Sequence, residues 1–182
     1  LAQAQSGDST EAGRTLRDLS LAFPTLPLIE SSLGQTLATA GHSDEALATL
    51  ANAVAVSPRN VPLSVRYSEA LMRAGRNKDA HELLLDLFNN VPPTPPQIRL
   101  IALAASAAGD TGDAYYYMSE YHISSGDLPL AINQLELALA APNLSAVQRA
   151  RFAARMKEIR DALANSGRAA GRGESGTDRL VP

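Results

Sequence analysis

Few groups in this sequence that ionise, ligate or attack stand where they could act together. The three histidines, His42, His81 and His122, lie far apart. The string nearest to a zinc site is His81-Glu82-Leu83-Leu84-Leu85. It offers one ligand and a glutamate placed as a general base, but leucine stands where the second histidine, one helical turn on, has to be. There is no cysteine, hence no thiolate nucleophile, thiolate metal site or disulfide. A G-x-S-x-G elbow and a phosphate-cradling glycine loop are absent as well. The expectation is a chain with no catalytic residue, no metal ligands and no cofactor of its own, with structural roles for all three histidines.

The densest cluster is DAYYYMSEYH, residues 113–122, which holds Tyr115, Tyr116, Tyr117 and Tyr121 out of five tyrosines in the chain. On a helix turning about 100° per residue, Ala114, Tyr115, Tyr117, Met118, Tyr121 and His122 share one broad face, and Tyr116, Glu120 and Ile123 take the other. The first face reads as core, with tyrosine hydroxyls finding partners at its edge. Tyr116 and Glu120 are left as candidates for ligand contact.

A second concentration of charge is basic. Arg149, Arg151, Arg155, Lys157 and Arg160 crowd one segment, with Glu158 the acid among them. Without interleaved aromatics this is a weak signal for nucleic acid, and the net charge of -3 points away from it. Phe152, Met156, Ile159 and Leu163 make a stripe at helical spacing in the same segment. A capping helix that seals the end of a helical stack accounts for both features, its basic residues forming a solvated face or a contact with another domain.

What must position these residues is a repeat. Gly7, Gly41, Gly75 and Gly109, then Ala12, Ala46, Ala80 and Ala114, then Pro24, Pro58 and Pro92 form three series, each stepping by 34. That period is the tetratricopeptide one, a helix, a turn and a second helix per unit. Glycine ends the first helix because it adopts a left-handed conformation without a Cβ clash, and proline ends the second because it cannot continue the hydrogen-bond ladder. Small residues such as Ala46, Ala53 and Ala80 let helices approach, and leucines fill the seam. The absence of tryptophan and the low aromatic content fit helices packed through small side chains better than a β-sandwich.

Residues 27–60 resemble the tetratricopeptide consensus through Leu33, Gly34, Leu37, Ala46, Leu50, Ala53 and Pro58. Residues 61–94 repeat the match with Tyr67, Leu71, Gly75, Ala80, Leu84, Leu87 and Pro92. The fold class that follows is all-α, an α-solenoid of helix-turn-helix units with a C-terminal capping helix. Units are expected near 27–60, 61–94 and 95–126, with helices near 9–22, 27–40, 43–56, 61–74, 77–89, 96–108, 112–125, 128–141 and 145–164. After Gly109 the phase slips by half a period: Gly126, Ala131, Leu135 and Ala138 define a shifted unit over 112–143. The tyrosine helix thus stands in two registers. The solenoid domain is taken as 1–164, opening on the truncated first helix LAQAQSG. Residues 165–182 are expected to be a flexible tail, rich in glycine, serine and arginine, that could lie in a repeat groove and support self-association.

Residues 114–160, running through AYYYMSEYH, GDLPLAINQLELAL and QRARFAARMKEIR, also resemble the C-terminal end of bacterial periplasmic zinc metallopeptidases of the β-barrel assembly-enhancing protease type. That resemblance implies an export signal and a zinc-binding protease domain upstream of Leu1, and a periplasmic location. It also implies docking to the outer-membrane protein assembly machinery and its clients. For ligand contact the tetratricopeptide family implies the face made by first helices. Here that face is Ser31, Gln35 and Ala38, then Val65, Glu69 and Met72, then Arg99, Leu103 and Ser106. It lacks the lysine-asparagine clamp that grips a terminal carboxylate in chaperone adaptors. The alternative is a stand-alone repeat scaffold for an unrelated peptide or protein. No apolar run reaches the length of a membrane span.

Overall fold

A computed structural model describes residues 9–24 and 26–174, with side chains over 11–24 and 26–165. Among the described residues the elements are all helices: α1 (Ser9–Ala22), α2 (Pro27–Thr39), α3 (Ser43–Val56), α4 (Val61–Arg73), α5 (Asn77–Asn90), α6 (Pro95–Ala108), α7 (Thr111–Ser124), α8 (Leu128–Ala140) and α9 (Ala146–Glu174). They fall into two compact units, residues 1–109 and 110–182. The opening LAQAQSG and residues 175–182 lie outside the described residues.

In the first unit each helix packs on its sequence neighbour, and α2 also meets α4, as α4 meets α6. First helices therefore lie side by side. The turn that closes α2 is set by Gly41, at φ 85°. Its N–H donates to the Ala38 carbonyl at 3.3 Å, and the His42 N–H reaches back to Leu37 at 2.9 Å. This pair of bonds satisfies carbonyls that the helix end would leave without donors, and its geometry needs a residue free to adopt positive φ. Gly75 closes α4 with the same pair, to Met72 and Leu71. Prolines in the first turn start α2, α4 and α6, where an N–H has no helical acceptor to lose.

The first unit's core follows the repeat. Leu16, Leu33, Leu37 and Ala46 cluster, as do Leu50, Ala53, Leu63 and Ala70. Each fully buried leucine contributes about 2 kcal/mol. Gly34 allows α2 and α3 to close on each other: a Cβ there would stand 2.4 Å from Leu50 Cγ, inside a side chain that is itself buried.

In the second unit α7 pairs with α8, and α9 packs chiefly on α8. Gly126, half a period after Gly109, closes α7 as Gly41 and Gly75 close α2 and α4. It bonds to Ile123 at 3.0 Å and Asp127 bonds to His122 at 3.0 Å. The tyrosine helix thus ends as a first helix does. The unit read over 95–126 would join α6 to α7, which fall in different compact units. The core holds Ala131, Leu135, Ala138, Phe152, Met156 and Ile159.

Two expectations change here. The helix read over 145–164 starts from a reciprocal cap, in which Ser145 N–H donates to Gln148 Oε1 and Gln148 N–H to Ser145 Oγ, both at 3.1 Å. It then runs to Glu174, past the point where a flexible tail was expected. No proline interrupts it, and the alanines and arginines between its glycines are good helix formers. The expected placement of the tail in a groove falls partly on residues outside those described.

Candidate peptide-binding face

The residues expected to line a ligand face sit on α2, α4 and α6, brought side by side by the stacking of first helices. Their accessibility differs. Gln35, Arg99 and Ser106 are exposed, and Leu103 is 58% exposed in a helix otherwise rich in alanine. Val65, Glu69, Met72 and Ala38 are half-buried. Ser31 is buried and offers nothing to a ligand. Its helix packs against α1, α3 and α4, and the free arc left is too narrow for so short a side chain to emerge. The Glu69 carboxylate faces Arg73 one turn on, at 3.8 Å, a loose exposed pair of little energetic weight. The face is a row of apolar steps with one acid and one base, suited to a segment anchored by apolar side chains.

Tyr116 and Glu120 belong elsewhere. Tyr116 was expected to point away from the core, but its ring stacks on Phe152 with centroids 4.9 Å apart and planes 20° from parallel. The Arg151 guanidinium, on α9, lies 4.4 Å from its centroid. Glu120 takes a two-pronged hydrogen bond from Arg155, 2.7 Å from Nε to Oε1 and 2.8 Å from Nη2 to Oε2. The physical reason is that α7 is covered by two helices. α8 takes one side, and the face assigned to solvent is the one α9 meets. Tyr115 and Ile123 pack on the same core, while Tyr117 meets Tyr116 edge-on at 5.2 Å.

The basic helix is corrected in the same way. Arg151 pairs with the buried Asp113, Arg155 with Glu120 and Glu158, Lys157 with Asp161, and Arg160 with Glu136. Gln148 Nε2 adds bonds to Asp110 at 3.0 Å and Asp113 at 3.2 Å. Four of the five cations expected on a solvated or docking face therefore hold carboxylates of the same unit. Arg151, Arg155 and Arg160 tie α9 to α7 and α8, whereas Lys157–Asp161 lies within α9. Bonds to Glu120 foremost raise the Arg155 pKa, so the guanidinium keeps its charge throughout the ordinary pH range.

Burial pushes the Tyr117 phenol up to about 12, and burial, with Glu120 next, also raises Tyr116. An unfolded tyrosine ionises near pH 10. The folded chain keeps a proton that the unfolded chain releases, so this stability is complete below pH 10 and is lost as pH rises toward 12. The loss is on the order of 2–3 kcal/mol for Tyr117. In an alkaline titration read by absorbance at 295 nm and circular dichroism, these rings should ionise together with unfolding. Full ionisation by pH 10.5 with helicity intact would contradict this.

Comparison with known proteins agrees with the architecture. Residues 37–107 match the family model of the tetratricopeptide repeat. No significant match is found among curated proteins. Among solved structures the chain is similar to MamA from Desulfovibrio magneticus RS-1, with a TM-score of 0.62 and 15% identity over 88% of this chain and 90% of that one. It is similar to pilF of Pseudomonas aeruginosa, with a TM-score of 0.55 and 17% identity over 97% and 89%. It is also similar to a thermophilic tetratricopeptide protein of Thermus thermophilus, with a TM-score of 0.53 and 19% identity over 84% and 93%. At such identities the likeness is one of fold. That fold is all-α and of the tetratricopeptide kind.

Proposed function

We propose that this chain is the recruiting domain of a periplasmic zinc metallopeptidase, binding partner proteins through the first-helix face of α2, α4 and α6. The observation that carries the binding reading is the exposure of Leu103 beside Arg99, continued by the half-buried Val65, Glu69 and Met72 on the neighbouring helix. Leu103 is left exposed by packing within the unit, and the mix of apolar steps with one acid and one base around it suits an unfolded or extended client segment. The similarity of residues 114–160 to the protease family supports the finer role, in which clients and components of outer-membrane protein assembly are held for an upstream catalytic domain. Zinc would belong to that domain alone.

A peptide array of an outer-membrane β-barrel sequence provides the test. The chain is expected to retain a subset of segments rich in apolar residues, and Leu103→Glu should weaken them at least tenfold, about 1.4 kcal/mol. An array that stays blank, or a variant that binds as the parent does, would remove the binding face. An upstream reading frame without H-E-x-x-H would remove the protease role and leave a scaffold for another partner.

A further inference from the structure

The repeat shows which surface positions the fold leaves free. Moving 34 residues on from Leu21, Phe23, Leu26 and Leu28 gives Ala55, Ser57, Asn60 and Pro62, and another 34 gives Asn89, Val91, Thr94 and Pro96. Every one of these later residues is exposed or half-buried, so the turn from a second helix to the next first helix needs no large apolar side chain there. At the α1–α2 turn the same positions carry three leucines and a phenylalanine, with exposures of 83% for Leu21, 51% for Phe23, 48% for Leu26 and 69% for Leu28. Packing within the unit does not account for them. Together they expose on the order of 400 Å² of apolar surface around one turn, the size of the largest apolar patch on a typical monomer, which is often functional.

The surface is also uncharged. From Leu19 to Ile29 no residue carries a charge; of the acids at its two margins, Asp18 is exposed and Glu30 takes a hydrogen bond from Ser20. A patch without charge is complementary to itself: an identical patch meets it about a two-fold axis with no like-charge repulsion, and one pairing uses up both surfaces. Two such patches bury roughly 800 Å² between the four side chains of each chain, below the about 1,200 Å² of a standard specific interface and in the range of weak, transient association. We infer that the α1–α2 turn is a homodimer interface, in which a second copy of this chain covers Leu21, Phe23, Leu26 and Leu28. This association is separate from the client-binding face on α2, α4 and α6, so either reading stands or falls without the other.

Sedimentation velocity of the 182-residue chain from about 1 µM to about 500 µM tests the inference. The weight-average mass should climb toward twice that of the monomer. Phe23→Glu and Leu21→Lys, at sites open to water, should each raise the dissociation constant at least tenfold and keep the parent's helicity. If Phe23→Glu unfolds the chain, Leu21→Lys alone decides. A monomer at every concentration would overturn the inference, as would a dimer indifferent to both changes. So would a monomer that instead binds neutral phosphatidylcholine vesicles through these residues.

Discussion

Phe152→Ala is expected to lower the unfolding free energy of the second unit by about 4 kcal/mol. The ring is fully buried and is the one large aromatic at the centre of the cluster formed by Ala131, Leu135, Ala138, Met156 and Ile159. Three of those five neighbours are alanine or isoleucine on backbones already in contact, so the space it vacates has few long side chains to refill it. Tyr116 would lose its stacking partner as well, adding about 1 kcal/mol. The chain has no tryptophan, and four of its five tyrosines lie on α7, so tyrosine fluorescence reports this unit directly. Urea titration followed by fluorescence should show the midpoint shift with little change in slope. A loss below about 1.5 kcal/mol would mean that the ring is not the keystone described.

The second large effect is electrostatic. Arg151→Ala should destabilise the same unit by about 3 kcal/mol. Its carboxylate partner Asp113 has a side chain only 5% exposed, and a buried charge deprived of its partner costs far more than the pair contributes. Gln148 still donates to Asp113, which keeps the expected loss at the low end. Two further variants separate causes. Arg151→Met restores the stem over the Tyr116 ring without the charge and should recover about 0.5 kcal/mol. The double variant Asp113→Ala with Arg151→Ala also removes the buried carboxylate and should be more stable than Arg151→Ala alone by about 1 kcal/mol or more. If the double variant is the less stable of the two, the pair is not the source of the loss.

The repeat made most helix ends legible, because glycine at positive φ and proline after a second helix are local requirements that composition cannot hide. Gly41, Gly75 and Gly126 mark ends to within a residue or two. The faces of α7 were less legible. Helical periodicity sorts residues into sides, but it does not say how many neighbours a helix has, and α7 has two within its unit. The partners of Arg151, Arg155 and Arg160 stand 24 to 38 residues away, beyond any local pattern. A basic run therefore resembled a docking surface until the acids of α7 and α8 were in place. One signal was present: Asp113 and Glu120 are seven residues apart, two turns of one face, opposite arginines spaced by four. Ser31 failed for a different reason, since family position fixes the face but not how far a short side chain reaches.

The neighbour-on-neighbour packing of α1 through α6 also shapes how the chain reaches this state. Because helices among the described residues chiefly contact the next helix or the one after it, their packing does not wait for distant segments to meet, and loop closure costs little more for the last helix than for the first. Low contact order of this kind goes with folding on microsecond to millisecond timescales. A nucleus formed by two adjacent helices anywhere along the stack can grow in either direction. Ribosomal synthesis adds residues far more slowly, at about 5–20 per second, so each pair can pack while the next is still being made.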